Sequence, residues 1–235
     1  MSTKIESSQR EDLASSLVEI ARECCLASML VAYPDAELEE TLRELDALAD
    51  HAGAANLRVL ACEGRFDDAR SRYIELFDRG GKRASLYETE HGHLRGMGKG
   101  RDLADIAGFY AAFGFKIDSG AVHELVDHLA VELEFYGLLA LKQHHLAGDE
   151  EGSAVVLDAR RKFLQDHLGR FCGAVERHPA VAEDALYGPV VRWVAALIAG
   201  ECARVGARPE QLDFQGDPEA QDEMKCGAVH LPVMP

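Results

Sequence analysis

Positive charge is scarce in this chain. Lysine and arginine number 25 against 41 aspartates and glutamates, for a formal charge of −16. That deficit disfavours nucleic acid as a partner class, because nothing here neutralises phosphates on the scale such binding requires. It also works against anionic membrane surfaces, and it favours cationic peptides. Long apolar runs are missing as well. No stretch approaches the roughly 18 apolar residues of a membrane span, and the opening MSTKIESSQREDL has no apolar core of the signal-peptide kind. The six cysteines, at positions 24, 25, 62, 172, 202 and 226, form no C-x-x-C, so neither a zinc pattern nor a disulfide framework is present. Cys24, Cys62, Cys172 and Cys202 sit in apolar helical surroundings, where free thiols act as small hydrophobes. These absences lead to the expectation of a soluble, cytoplasmic protein in a reducing compartment. Alternating strand patterns and internal repeats are also lacking.

What is present is helical periodicity. Leu13, Leu17, Ile20, Cys24 and Val31 predict a helix from about 9 to 32, stopped by Tyr33-Pro34. Asp35 reads as the N-cap of a second helix carrying Leu38, Leu42, Leu45 and Leu48. A shorter helix follows Gly53, and residues 66–77 form another with Phe66, Ala69, Tyr73 and Leu76 inward. The stretch 79–101 reads as a long loop with several glycines, the kind of segment that carries function. Asp102 is expected to cap the next helix with Asp105 as its capping-box partner. On that helix Leu103, Ile106, Tyr110 and Phe113 make the apolar stripe. Ala104, Ala107, Gly108, Ala111 and Ala112 make a small face suited to close approach of another helix, and Gly114 ends it. Further helices are expected over 120–146, 150–177 and 181–204, the last with Pro189 as a kink or division. The fold class is therefore all-α, a single helical-bundle-like domain over 1–204. Residues 205–235 are expected to be a C-terminal tail lying along the body through Val229, Leu231 and Val233.

The chemical motifs are weak. Arg95-Gly-Met-Gly-Lys99-Gly lacks the Ser/Thr and the preceding strand of a phosphate loop. Glu88, Glu90, His91 and His93, or Glu124, His128 and Glu132, offer metal-ligand types, but no helical Glu-x-x-His occurs twice as a two-metal bundle site requires. No G-x-S-x-G or cysteine–histidine arrangement points to a nucleophile. Carboxylates interleaved with aromatics between 85 and 135 suit a groove for a basic, partly apolar peptide. The same residues also read as core aromatics beside solvated acids. A helical metal or nucleotide binder, and a stable accessory subunit, stay open as alternatives.

One set of residues carries more. Ser85-Leu-Tyr87-Glu88 follows the helix end at Leu76-Phe77. Phe109-Tyr110 and Phe113-Gly114 come next, then Asp127-His128-Leu129 with Glu132-Leu133-Glu134-Phe135. This pattern resembles the TorD/DmsD/NarJ family of molybdoenzyme assembly chaperones. The string from Tyr87 to Phe115 is most similar to the branch serving type II members of the dimethyl sulfoxide reductase superfamily (dimethylsulfide and ethylbenzene dehydrogenases, selenate and chlorate reductases). Val126 stands where many members have proline. The resemblance implies an all-α fold, no catalysis and no cofactor or metal of its own. It implies binding of an apo catalytic molybdenum subunit, often through a twin-arginine signal peptide, assistance of cofactor insertion, and delay of export until folding is complete. The oligomeric state is left open between monomer and dimer, the connections 79–101 and 114–120 being compatible with domain swapping. The family's Asp-His pair falls on Asp127 and His128 and its Tyr/Ser loop on Ser85, Tyr87 and Glu88, with His91 resembling the NarJ side; the peptide-groove reading adds Tyr110, Phe113, Glu132 and Phe135 as expected client-binding residues. Of these, Glu88, Asp127 and Glu132 are expected to face the arginines, with Tyr87, Tyr110, Phe113 and Phe135 receiving the apolar part.

Overall fold

The computed structural model describes residues 2–78, 84–92, 99–117 and 125–213, with side chains from residue 15 onward. Ten α-helices follow one another among these residues: α1 (Ser2–Val31), α2 (Ala36–Glu44), α3 (Ala55–Cys62), α4 (Phe66–Tyr73), α5 (Lys99–Ala112), α6 (Leu129–His145), α7 (Glu150–Phe163), α8 (Gly169–Arg177), the single turn α9 (Pro179–Ala182) and α10 (Tyr187–Val205). The all-α class holds: no strand occurs among the described residues, and the only β pairing there is an isolated bridge between Tyr87 and His128. The contacts expected through Val229, Leu231 and Val233 lie outside the described residues, as do Val122, Glu124 and His93.

The core is built on α6. Leu129, Leu133, Phe135, Tyr136, Leu139 and Ala140 are all buried, and along its middle only Glu134 faces out. Helix α1 lies along it, with Leu17, Ile20, Ala21, Cys24, Ala27 and Val31 as the buried stripe. Gly137 permits the close crossing, since a Cβ there would stand 3.2 Å from the Cys24 side chain and 3.4 Å from a backbone oxygen of α1. Helix α1 runs upstream of the expected start because residues 2–9 contain no proline or glycine to stop it. The second helix is capped as expected, Leu38 N donating to Asp35 Oδ1 at 2.9 Å.

Three expectations are corrected. Helix α6 begins at Leu129, with His128 as its N-cap accepting from Ala130 N through Nδ1, so Val126 lies in the turn before the helix rather than on its stripe. Helix α5 begins at Lys99, which puts Asp102 inside the first turn, where the helix dipole favours it without capping. Pro189 is the third residue of α10 and neither kinks nor divides it, because the N–H it lacks has no intrahelical acceptor in the first turn. The cap for that helix comes from Asp184, whose Oδ1 accepts from Leu186 N and Tyr187 N while its Oδ2 pairs with Arg72.

The expected helix over 150–177 is continuous but interrupted by a π turn at Leu164–Leu168, which joins α7 to α8. The segment 207–213 returns along this turn. Leu212 N donates to Arg170 O at 2.9 Å, Gln211 reaches Gly169 O, and Gln165 and Arg208 exchange two hydrogen bonds. Gly169 makes room for it, since a Cβ there would meet Pro209 at 3.0 Å and Leu164 O at 2.4 Å.

Helices α6, α7 and α10 are tied by a buried ion pair. Arg160 Nη2 lies 2.5 Å from Glu201 Oε2, Tyr136 Oη donates to the same carboxylate at 3.0 Å, and Gln143 Oε1 accepts from Arg160 Nη1 at 2.7 Å. Arg160 is 2% and Glu201 1% exposed. Arg160→Ala leaves the buried Glu201 carboxylate with only the half-exposed Arg204, 3.2 Å from its Oε1, as a charged partner, and is expected to lower the unfolding free energy by about 3 kcal/mol. The double change Arg160→Met with Glu201→Met is expected to recover most of that loss. Urea denaturation of the three proteins checks both values.

Candidate functional site

The segment 84–92 crosses the turn that opens α6. Glu88 N donates to Asp127 O at 3.0 Å and Leu129 N to Leu86 O at 2.8 Å. Thr89 closes over Asp127, giving its Oδ2 one hydrogen bond from Oγ1 at 2.6 Å and another from its backbone N at 3.2 Å. The Tyr87 ring stands edge-on to His128, with centroids 4.9 Å apart. Ser85 Oγ accepts from Tyr87 N, and the Ser85 carbonyl lies 3.0 Å from His91 Nε2. The crossing therefore gathers Ser85, Tyr87, Glu88, His91, Asp127 and His128 into one packed unit.

Beneath it lies Glu132. Neither carboxyl oxygen has a hydrogen-bond partner, and Asp127 Oδ1 has none either. Burial pushes the Glu132 carboxyl well above the ordinary carboxylate range, and nearby Glu88 and Asp127 push the same way. Asp127 and Glu132 are 0% exposed, so neither forms a wall of an open groove in this arrangement. Tyr110 and Phe135 are likewise core residues, their rings 4.7 Å apart, with Tyr110 Oη bonded to Val126 O at 2.7 Å. Phe113 is half-buried at the surface edge of this aromatic layer.

The open surface lies one layer out, between α5 and the α7–α8 helix. The small face of α5 meets no other helix among the described residues: Ala104, Ala107, Gly108, Ala111 and Ala112 are exposed, and a Cβ on Gly108 would touch nothing within 4 Å. The expected close approach of a neighbouring helix on this face is thus corrected. Aromatic side chains reaching under α5 hold it at a distance, Phe109 packing on Phe163 at 5.4 Å and Tyr110 on Phe135. What results is a hollow of about 380 Å³ lined by Gly108, Phe109, Ala112, Phe113, Val155 and Ala159, together with the Asp158–Lys162 ion pair of α7. Asp105 lies on its edge and also on the edge of a second, polar hollow of about 450 Å³, so the two adjoin. The polar one is lined by Arg101, Asp102, Asp105, Asp166, His167, Arg170 and Glu210. It leads to Glu88, Thr89, His91, Gly92, Lys99 and Leu212. Among the described residues, five carboxylates (Glu88, Asp102, Asp105, Asp166, Glu210) stand against three fixed cations (Lys99, Arg101, Arg170), a modest acidic excess.

His167 is the hinge of this polar end. Its Nδ1 lies 3.1 Å from Glu88 Oε2 and its Nε2 3.1 Å from Asp105 Oδ2. Burial opposes charge on the ring, but the two carboxylates outweigh it and raise His167 above the ordinary histidine value. Burial also raises the Glu88 carboxyl, while His167 and Arg170 pull it back. His167, Asp166, Arg170 and Glu210 were not singled out from the sequence. The available signal was a titratable residue at position 167 among the apolar positions Leu164, Leu168 and Phe171.

Among the described residues the fold is helical and strandless, and its open surface is a groove with carboxylates at one end and a largely apolar lining at the other. A family model described as nitrate reductase delta subunit matches residues 32–176. The chain is 27% identical over 144 residues to the selenate reductase assembly chaperone protein of Thauera selenatis, across 60% of this chain and 72% of that one. The chain belongs to the nitrate reductase delta subunit family: it is a molybdoenzyme assembly chaperone of the NarJ/TorD type, a non-catalytic protein. Among the described residues, no helix is long and apolar enough to cross a membrane.

Glu132 generates a stability prediction. A buried carboxyl without a partner costs about 1–3 kcal/mol. Glu132→Met is expected to raise the unfolding free energy by about that amount in urea titrations at neutral pH. The sign with pH follows from the raised folded value. Folded protein keeps the proton while unfolded chain loses it near the ordinary glutamate value of about 4.3. Wild-type stability therefore falls as pH rises from there toward the folded value. The methionine variant is expected to lack that slope.

Proposed function

We propose that the groove between α5 and the α7–α8 helix holds a segment of the client that is cationic first and apolar next. The observation that carries this reading is the unpartnered small-residue face of α5, continuous through Asp105 with a cluster of carboxylates. Asp102, Asp105, Asp166 and Glu210 receive arginines, whose guanidinium forks pair with carboxylates through parallel hydrogen bonds. The Gly108 and Ala112 face, with Phe109, Phe113 and Val155, receives the apolar residues that follow. A twin-arginine signal peptide has this order of chemistry. The client is then the apo catalytic subunit of a molybdenum oxidoreductase, held in the cytoplasm until its cofactor is inserted and its export is timely. The relative from Thauera selenatis is named for selenate reductase, and a client of the same type II kind is the reading we adopt for this chain.

Within this reading the expected client-binding residues divide in two. Glu88, His91 and Phe113 border the groove. Ser85, Tyr87, Tyr110, Asp127, His128, Glu132 and Phe135 form the layer that fixes its floor, and Asp127 and Glu132 meet client arginines only if the segment 84–92 is displaced.

A synthetic peptide with two adjacent arginines followed by a leucine- and alanine-rich stretch tests this by isothermal titration calorimetry. The triple variant Asp102→Asn, Asp166→Asn, Glu210→Gln is expected to bind about tenfold more weakly, at roughly 0.5 kcal/mol per exposed pair. Its dependence on salt is expected to shrink in step. Ala112→Asp is expected to weaken binding through the apolar half while circular dichroism stays unchanged. Wild-type affinity in both variants removes the groove as the binding site.

A further inference from the structure

The polar end of the groove contains a histidine whose two ring nitrogens both meet carboxylates. His167 stands between Glu88 and Asp105 with one ring nitrogen 3.1 Å from each carboxylate. A neutral imidazole has a single N–H and can donate to only one of them; both contacts are donor bonds only for imidazolium. The two partners differ in access. Glu88 is 3% exposed, whereas the Asp105 side chain is 63% exposed and lies on the groove edge. Phe109 and Phe163 flank the ring at 5.7 and 5.5 Å, so water reaches it chiefly from the Asp105 side.

We propose that His167 is a proton-linked counter-ion for the client site: it bridges Glu88 and Asp105 in the empty groove and gives up a proton when a cationic side chain of the client takes Asp105. This rests on the groove being the client site. The neutral ring keeps its N–H toward Glu88, the buried partner, and releases Asp105, the exposed one. A guanidinium arriving there offers several donors in a planar fork and cannot itself be deprotonated, so it outcompetes a ring that can. The surrounding charges make the exchange sensitive to a single proton. Asp102 and Arg101 face the ring from α5, Asp166 from the same turn, Arg170 from α8 and Glu210 from the segment 207–213, while Glu132 of α6 stands behind Glu88. With so small an acidic excess, the imidazolium charge is a large part of the balance that a client meets.

The direction with pH is fixed. The folded His167 value lies above the ordinary histidine value of about 6.5. Below that, the clasp is fully charged and competes with the client; as pH rises through the folded value the competitor is lost and peptide affinity increases. His167 is thus a positioning residue, and proton release is a readout that a merely structural role does not move.

The test is calorimetry with the same arginine-pair peptide from about pH 6 to about pH 9, in phosphate and in Tris, whose ionisation enthalpies differ. Wild-type protein is expected to release up to about one proton per peptide and to bind several-fold more tightly at the upper end. His167→Gln is expected to release none and to bind with nearly constant affinity. Histidine resonances of the wild-type protein followed by NMR give a second readout, in which the His167 midpoint falls when peptide is added. Peptide bound with no buffer-dependent heat and an unmoved His167 midpoint overturns the inference and leaves the groove reading standing. No peptide bound at any pH overturns both.

Discussion

A helix buried on nearly every side has to have each of its polar groups accounted for, and α6 imposes that requirement on the rest of the molecule. Tyr136 and Gln143 meet it by joining the Arg160–Glu201 pair, which fixes how α7 and α10 sit against the centre. The first turn of α6 meets it less completely. His128 caps the helix, Asp127 is bonded through one oxygen, and Glu132, whose carboxyl burial pushes upward, has no hydrogen-bond partner. Such a group is retained at a cost in stability, and costs of this kind collect near functional surfaces.

The open groove follows from the same packing. Aromatic residues on the underside of α5 dock it on α6 and α7, and their bulk leaves its small outer face without a partner helix. The π turn then rotates the line of side chains between α7 and α8, so that His167 points toward Glu88 and Asp105 and becomes part of the polar end. A regular α-helix from 150 to 177 would distribute these residues differently.

The helices were legible because their apolar residues recur at helical spacing, and the stops at Pro34, Gly114 and His178-Pro179 follow from backbone chemistry that needs no tertiary context. The starts were less legible. Asp127-His128 caps a helix from a histidine ring, a side chain outside the usual capping set, and Asp184 serves α10 from three residues before its first residue, Tyr187. The π turn has no sequence signature. The groove was hidden for a different reason: Glu88, Asp105, His167 and Glu210 are far apart in the chain, and only the fold brings them together. Asp102 and Asp105 invited a capping reading that accounted for them locally. The residues that carry the resemblance form the layer directly under this open surface.

The segment 207–213 supplies the outer wall of the polar end, bonded across the backbone to Arg170 on one side and, through Asp213, to Gly92 on the other. Every other wall precedes it in the chain. A protein made from its N-terminus folds its earlier helices while the later ones are still being added. The bundle around α6 is therefore assembled while the groove still has an open side, and among the described residues the polar end of the groove is the last part to be finished. In a crowded ribosome neighbourhood, where other nascent chains are also cationic and apolar in places, a chain built in this order reaches a compact body before it can hold anything.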